Sequence, residues 1–351
     1  MGSNIKVNKS VVINKKIVHQ KVKRGKLKFI LKLLIFILFL NLPTYIFFQA
    51  NAMNYSYMDY PMWKVQKDFV KKKQTGIVPD LLVFGDSRGM AGIIPNSISN
   101  NGRALCVTGG TSIEAYYMLK EYLSKNSAPK NVILSVSPDH LERHPELFSR
   151  AVKYKLLSSI AALEVLNKCN ELKDYPFQMV PIENNYYLEW FLYRINFVLY
   201  YKDELQAGKY NQMKKSNWEL YNAIEANQGY WYRPPISSSD GLNDETRKST
   251  FLPSTVLTYY FNELINLCKE KNIHFIFQTM PMNEASFKIL NANYVKGYKD
   301  FISGIQAKNP YFEISNDLLE FPNDRFSDPS HLNNTGALEI SKIIKGKYFN
   351  K

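Results

Sequence analysis

Asp80-Leu81-Leu82-Val83-Phe84-Gly85-Asp86-Ser87 decides the reading of this chain. Leu81 to Phe84 is a short apolar run of the kind that fills a strand buried on both faces. Gly85 breaks it. Asp86 and Ser87 then stand at the C-terminal edge of a strand, where open α/β sheets gather their chemistry. A serine is a weak nucleophile until a base takes its proton. Near the far end of the chain, Asp328-Pro329-Ser330-His331 supplies a candidate base in His331. Asp328, three residues earlier, is placed to hold the imidazole in one tautomer. Either motif alone is built from common turn residues. Their order, and the elements around them, give them weight.

Those elements alternate. Leu81–Phe84 reads as the first strand, Ala104–Val107 as the second, and Ile113–Leu123 as the helix after it. Val132–Val136 is the third strand. Further on, Thr255–Lys271 reads as a helix, Ile273–Gln278 as a strand and Ala285–Ile305 as a helix. Phe312-Glu313-Ile314 is a short last strand, and Ala337–Ile344 closes the chain as a helix. Strands alternating with helices predict an α/β fold, a mainly parallel sheet with helices on both faces. Residues 79–351 form one large domain in this reading. Between about 144 and 244 the alternation stops and helical periodicity takes over. This stretch reads as a helical insertion covering the sheet's C-terminal edge. Most of its aromatic residues are expected to form its own small core. Tyr230-Trp231-Tyr232, beside Pro234-Pro235, looks loop-like and is the better candidate for ligand contact.

The N-terminus is of another kind. Residues 29–49 are almost wholly apolar, and no charge occurs from Leu33 to Met58. That is about the ~20 residues a bilayer-spanning helix needs. Nine Lys/Arg precede it in residues 1–28, Lys32 is a tenth, and the first acidic residue is Asp59. The expectation is a basic cytoplasmic tail (1–28), a retained transmembrane helix (29–49), a stalk (50–78) and an extracytoplasmic domain. The tail and anchor account for most of the net charge of +14, leaving 35 basic against 31 acidic groups. The charge is therefore not a nucleic-acid signature, and the tail suits anionic lipid headgroups. Cys106, Cys169 and Cys268 lack metal-ligand spacing and are expected to pack rather than to form a disulfide framework. Neither a metal site nor a cofactor is indicated.

Acyl transfer at a serine also needs donors for an oxyanion. The Ser87 N–H is one candidate. Thr108-Gly109-Gly110-Thr111-Ser112 leads into a helix and offers outward-pointing amides at its N-terminus. The early Gly-Asp-Ser and late Asp-x-x-His resemble the SGNH (GDSL-type) hydrolase superfamily. The resemblance implies Ser87 as nucleophile, His331 as base, Asp328 as its orienter, and the N–H groups of Ser87 and Gly109 in the oxyanion hole. The third block departs from the pattern. Where that superfamily carries an oxyanion-donating Asn after the third strand, this chain has Ser137-Pro138-Asp139-His140. Either Asp139 is protonated and donates, or His140 substitutes, or only backbone donors serve.

With its anchor, the chain resembles the membrane-anchored extracellular members that work beside multi-pass membrane-bound O-acyltransferases. Examples are polysaccharide O-acetylation and D-alanine transfer proteins. That resemblance implies an acyl-serine intermediate and transfer of an acyl group, acetyl by preference, to a cell-envelope polysaccharide. An esterase that removes such groups is the alternative. A non-catalytic assembly partner is a third, disfavoured by the complete set of triad residue types.

Overall fold

The computed structural model describes residues 59–177, 210–236 and 240–350, together with parts of 23–55. Five parallel strands form its centre: β1 (Leu81–Gly85), β2 (Gly102–Ala104), β3 (Asn131–Ser135), β4 (His274–Phe277) and, further on, β6 (Glu313–Ile314). Their order is β2-β1-β3-β4-β6. A separate two-stranded parallel ribbon joins β5 (Met282–Asn283) to β7 (Glu320–Phe321). The principal helices are α1 (Asp59–Lys71), α2 (Ser87–Gly92), α3 (Ser112–Leu123), α4 (Ser159–Leu172), α5 (Tyr210–Ala226), α6 (Thr255–Glu270), α7 (Ala292–Lys308) and α8 (Asn334–Tyr348).

Side-chain alternation along the strands splits the core in two. Leu82, Phe84, Val132, Leu134, Phe275 and Phe277 face one way and pack with α3, α6 and α7. Leu81, Val83, Ile133 and Ile276 face the other way and pack with α2 and α8. Helices therefore cover both faces. The strands are buried on both sides, which is why they read as continuous apolar runs. After β1 the chain runs outward to β2, then returns to the other side of β1 as β3. The loop after β1 thus opens at the point where strand order reverses, and Ser87 begins α2 there.

Several elements differ from the sequence reading. Only 102–104 forms the ladder of the second strand. Leu105 and Val107 continue beside β1 through single hydrogen bonds to the carbonyls of Val83 (2.6 Å) and Gly85 (3.0 Å). The helix expected over 285–305 is two, Glu284–Phe287 and α7, because the Asn291 side chain caps a new start at the N–H of Asn293. The three cysteines are free and buried. Of the insertion, a π-helical turn at Leu147–Val152, α4 and α5 are seen. Residues 178–209, with the aromatic residues from Tyr186 to Tyr201, lie outside the described residues.

The expected stalk is corrected. Residues 59–71 form α1, in which Tyr60, Trp63, Val65, Gln66 and Val70 are buried, Lys67 donates to the Tyr154 carbonyl at 2.9 Å and Lys71 is exposed. Trp63 is 1% exposed and its Nε1–H donates to Thr108 Oγ1 at 2.9 Å, in the loop before Gly109. Ala52 and Met53 are also buried, and Asn217 on α5 donates to the Met53 carbonyl. The folded body therefore begins near residue 50. Part of the span expected over 29–49 falls outside the described residues. Residues 25–37 are helical, and among the described residues no helix is long and apolar enough to cross a membrane.

A chain starting at residue 79 should therefore aggregate or melt without a cooperative transition, whereas one starting at residue 50 should unfold cooperatively. In that longer chain, Trp63→Ala should cost about 3–5 kcal/mol, the usual range for emptying a buried tryptophan site. Circular dichroism melts and urea titrations check both.

Candidate active site

Gly85 ends β1 with φ +157°, and a Cβ there would lie 1.8 Å from the Ser135 carbonyl oxygen of β3. Only glycine fits, because the neighbouring backbone occupies the side chain's place. Asp86 then caps α2. Its Oδ1 accepts from the N–H groups of Arg88 (2.9 Å) and Gly89 (3.2 Å). Its Oδ2 accepts from the Ser137 N–H (2.8 Å) and lies 3.0 Å from His140 Nδ1. Burial pushes this carboxyl upward. The hydrogen bond and charge of His140, helped by Arg88 and the Ser137 N–H, outweigh it and hold Asp86 well below the usual carboxylate range.

This cap sets Ser87 at the first position of α2. The Ser87 hydroxyl lies 2.8 Å from His331 Nε2. The other ring nitrogen, Nδ1, lies 2.9 Å from both carboxylate oxygens of Asp328. Asp328 Oδ1 also accepts from the N–H groups of Ser330 and His331, both at 2.9 Å, which closes the Asp-Pro-Ser-His turn on itself. Asn333 follows, and its side chain caps α8 through the N–H groups of Thr335 and Gly336. The three residues singled out at opposite ends of the sequence thus form one hydrogen-bonded chain. A hydroxyl, an imidazole and a carboxylate in this order can move a proton off the serine as it attacks.

Two residues support this chain that the sequence reading did not single out for it. Arg233 Nη2 donates to Asp328 Oδ2 at 2.6 Å, and its Nε donates to the Ser327 hydroxyl. Its guanidinium lies 4.4 Å from the Trp231 ring centre, and Trp231 meets the His331 ring edge-on at 5.6 Å. The loop carrying them is held by bonds from Trp231 N–H to Met90 and from Asn334 N–H to Arg233. Of the aromatic cluster, Trp231 meets His331, Tyr230 is buried with its hydroxyl on Asn334, and Tyr232 is exposed. The signal for Arg233 was only its place beside Trp231. Burial raises the Asp328 carboxyl, but His331 above all, then the Ser330 N–H and Arg233, bring it down to about 2.

The oxyanion candidates divide. Gly109 has φ +69°, and Thr111 and Glu114 form a reciprocal capping box on α3 just after it. Glu114 is tied in turn to the buried His144, 2.7 Å away. Among the described residues, no protein acceptor takes the N–H of Ser87 or of Gly109. Asp139 is corrected. Its carboxylate accepts two bonds from Arg143 Nε at 2.8 Å and one from the Lys248 ammonium. Burial raises its proton affinity, but those cations win and hold it low. An ionised carboxylate has no proton to donate, so Asp139 is not an oxyanion donor. Arg88, next to Ser87, is bound to the buried Glu245 at 2.8 Å.

A family model that carries no functional description matches residues 180–351, the part of the chain that holds Asp328 and His331. No curated protein matches the chain.

The lowered Asp328 carboxyl makes acid stability a test of this geometry. A group with a depressed folded-state pKa stabilises the protein above its unfolded value, about 3.9, and loses that contribution as pH falls. Wild-type protein should therefore lose Tm as pH drops from 4 toward 2, and Asp328→Asn should lose less over the same window. Equal slopes in calorimetric melts would mean that the carboxylate carries no such load.

Proposed function

We propose that this protein is an extracytoplasmic serine acyltransferase that moves an acyl group, acetyl by preference, onto a cell-envelope polysaccharide. The observation that carries the reading is the hydrogen-bonded chain from Ser87 through His331 to Asp328. In the proposed cycle, Ser87 Oγ attacks the acyl carbonyl while His331 Nε2 takes its proton. The N–H groups of Ser87 and Gly109 serve the oxyanion of the tetrahedral intermediate. Collapse breaks the bond to the leaving group, which receives the proton from His331, and leaves acyl-Ser87. A sugar hydroxyl then attacks, His331 takes and returns its proton, and Ser87 is regenerated. No metal or cofactor enters this scheme.

Transfer is favoured over hydrolysis by the N-terminal segment. Its apolar residues from Phe29 to Ile37 are exposed, and the preceding tail is basic. Such a segment suits a membrane anchor with the tail in the cytoplasm and the catalytic domain outside. Outside the cytoplasm an acyl-coenzyme donor is absent, so a multi-pass membrane-bound O-acyltransferase is the proposed partner that loads Ser87. An esterase acting on such a polysaccharide is the second reading. The ring of His331 retains 19% exposure, so water has access to the base. Both readings pass through the same acyl-serine and differ in the attacking group.

Ser87→Ala and His331→Ala should each abolish turnover, and the double variant should lose little more, because the members act as a unit. Hydrolysis of p-nitrophenyl acetate by the full chain, with melts to check folding, measures this. Deleting the protein should lower the acyl content of the envelope polysaccharide. A rise in acyl content, with rapid release of free acid from acylated polymer by purified protein, would establish the esterase.

A further inference from the structure

His140 occupies the turn after β3, the strand next to β1 in the sheet. Its Nδ1 is 3.0 Å from Asp86 Oδ2, and Asp86 is covalently joined to Ser87. Among the described residues its Nε2 has no protein partner, and it is not one of the buried unpaired polar atoms. By contrast, Nδ1 of the buried His144 is such an atom, while its Nε2 pairs with Glu114. One ring nitrogen of His140 is thus anchored by the carboxylate of the residue before Ser87, and the other is left without a protein partner among the described residues.

The Gly109 turn packs closely against Glu146 and Arg150. A Cβ on Gly109 would lie 2.8 Å from an Arg150 nitrogen and 3.1 Å from the Glu146 carboxylate. His140 therefore stands beside the Asp86–Ser87 step, and Glu146, which meets the Gly109 turn, is among the charges that act on it. The chain has no Asn after β3, and Asp139 is spent on Arg143 and Lys248.

Building on the acyl-serine reading, we propose that His140, as an imidazolium anchored by Asp86, is a catalytic residue whose Nε2–H donates to the oxyanion formed at Ser87. A cation hydrogen-bonded to an oxyanion stabilises the transition state more than the neutral carbonyl of the ground state. The step transfers no proton from His140. Its Nε2–H stays on the ring as the negative charge appears on the carbonyl oxygen and disappears again.

The charges around the ring favour the protonated form. Burial lowers its proton affinity, but the hydrogen bond and charge of Asp86, with Asp139 and Glu146, raise it further than burial lowers it. The opposing cations are one step removed: Arg88 is bound to Glu245, Arg143 and Lys248 to Asp139, and Arg150 to Asp59. Loss of the Nε2 proton at high pH would turn a donor into a lone pair facing the oxyanion, so activity should fall on the alkaline side. The raised folded-state pKa also means that the pair's contribution to stability is full below about pH 6.5 and is lost as pH rises through the folded value.

The test uses the full-length chain with p-nitrophenyl acetate over pH 5–10. His140→Ala should lower kcat about 10²–10³-fold with little change in KM, the loss typical of one oxyanion donor. His140→Asn should recover much of that loss, since an amide N–H can donate there, and should lack the alkaline limb because it does not titrate. A folded His140→Ala with kcat within a few-fold of wild type overturns the proposal. So does an alkaline limb that persists unchanged in His140→Asn. Should His140→Ala fail to fold by its melt, the comparison of wild type with His140→Asn decides alone. Turnover retained by Ser87→Ala would instead sink the acyl-serine reading. Turnover lost in Ser87→Ala but kept in His140→Ala removes only this proposal.

Discussion

The Asp86 carboxylate joins the parts on which everything else depends. It is 1% exposed and receives donors from α2, from the loop after β3 and from His140. A buried carboxylate is stable only when its lone pairs are satisfied. Here, satisfying them fixes the start of α2, and so the place of Ser87. It also draws the third-strand loop toward the first and orients an imidazole. Removing the carboxylate would leave several buried donors without partners and release both the start of α2 and the turn after β3. The close approach of β1 to β3 at Gly85 leaves no room for a side chain there, so the cap and the glycine form one device.

A second polar cluster holds the other half of the site. Arg233 lies between Asp328, Ser327 and the face of Trp231, and Trp231 leans on His331. The planar guanidinium suits this, because it donates in its plane and stacks across it. The loop that carries both residues bonds to α2 and α8. The loop between α5 and α6 thereby couples the two ends of the chain that supply the serine and the histidine. The same logic explains α1. Its Trp63 is bonded to Thr108, so the segment before the sheet supports the turn where Gly109 sits.

The sequence by itself determined the main features of the sheet and the three residues of the hydrogen-bonded chain Ser87–His331–Asp328. Strands buried on both faces must be short apolar runs, and Gly-Asp-Ser after one of them marks the strand edge. The Asp-x-x-His turn is equally local, since Asp328 bonds to its own neighbours. What the tertiary structure decided lay in pairings across long separations. α1 has the lysines of an exposed stalk, and only packing shows which face is buried. Asp139 and His140 were left open as donors because their state depends on Lys248, Arg143 and Asp86, brought near by folding. Arg233 is one arginine among many until the loop after α5 folds back onto Asp328. Periodicity reports which face of an element is buried, but charge pairing between distant segments has no period, and only the folded chain specifies it.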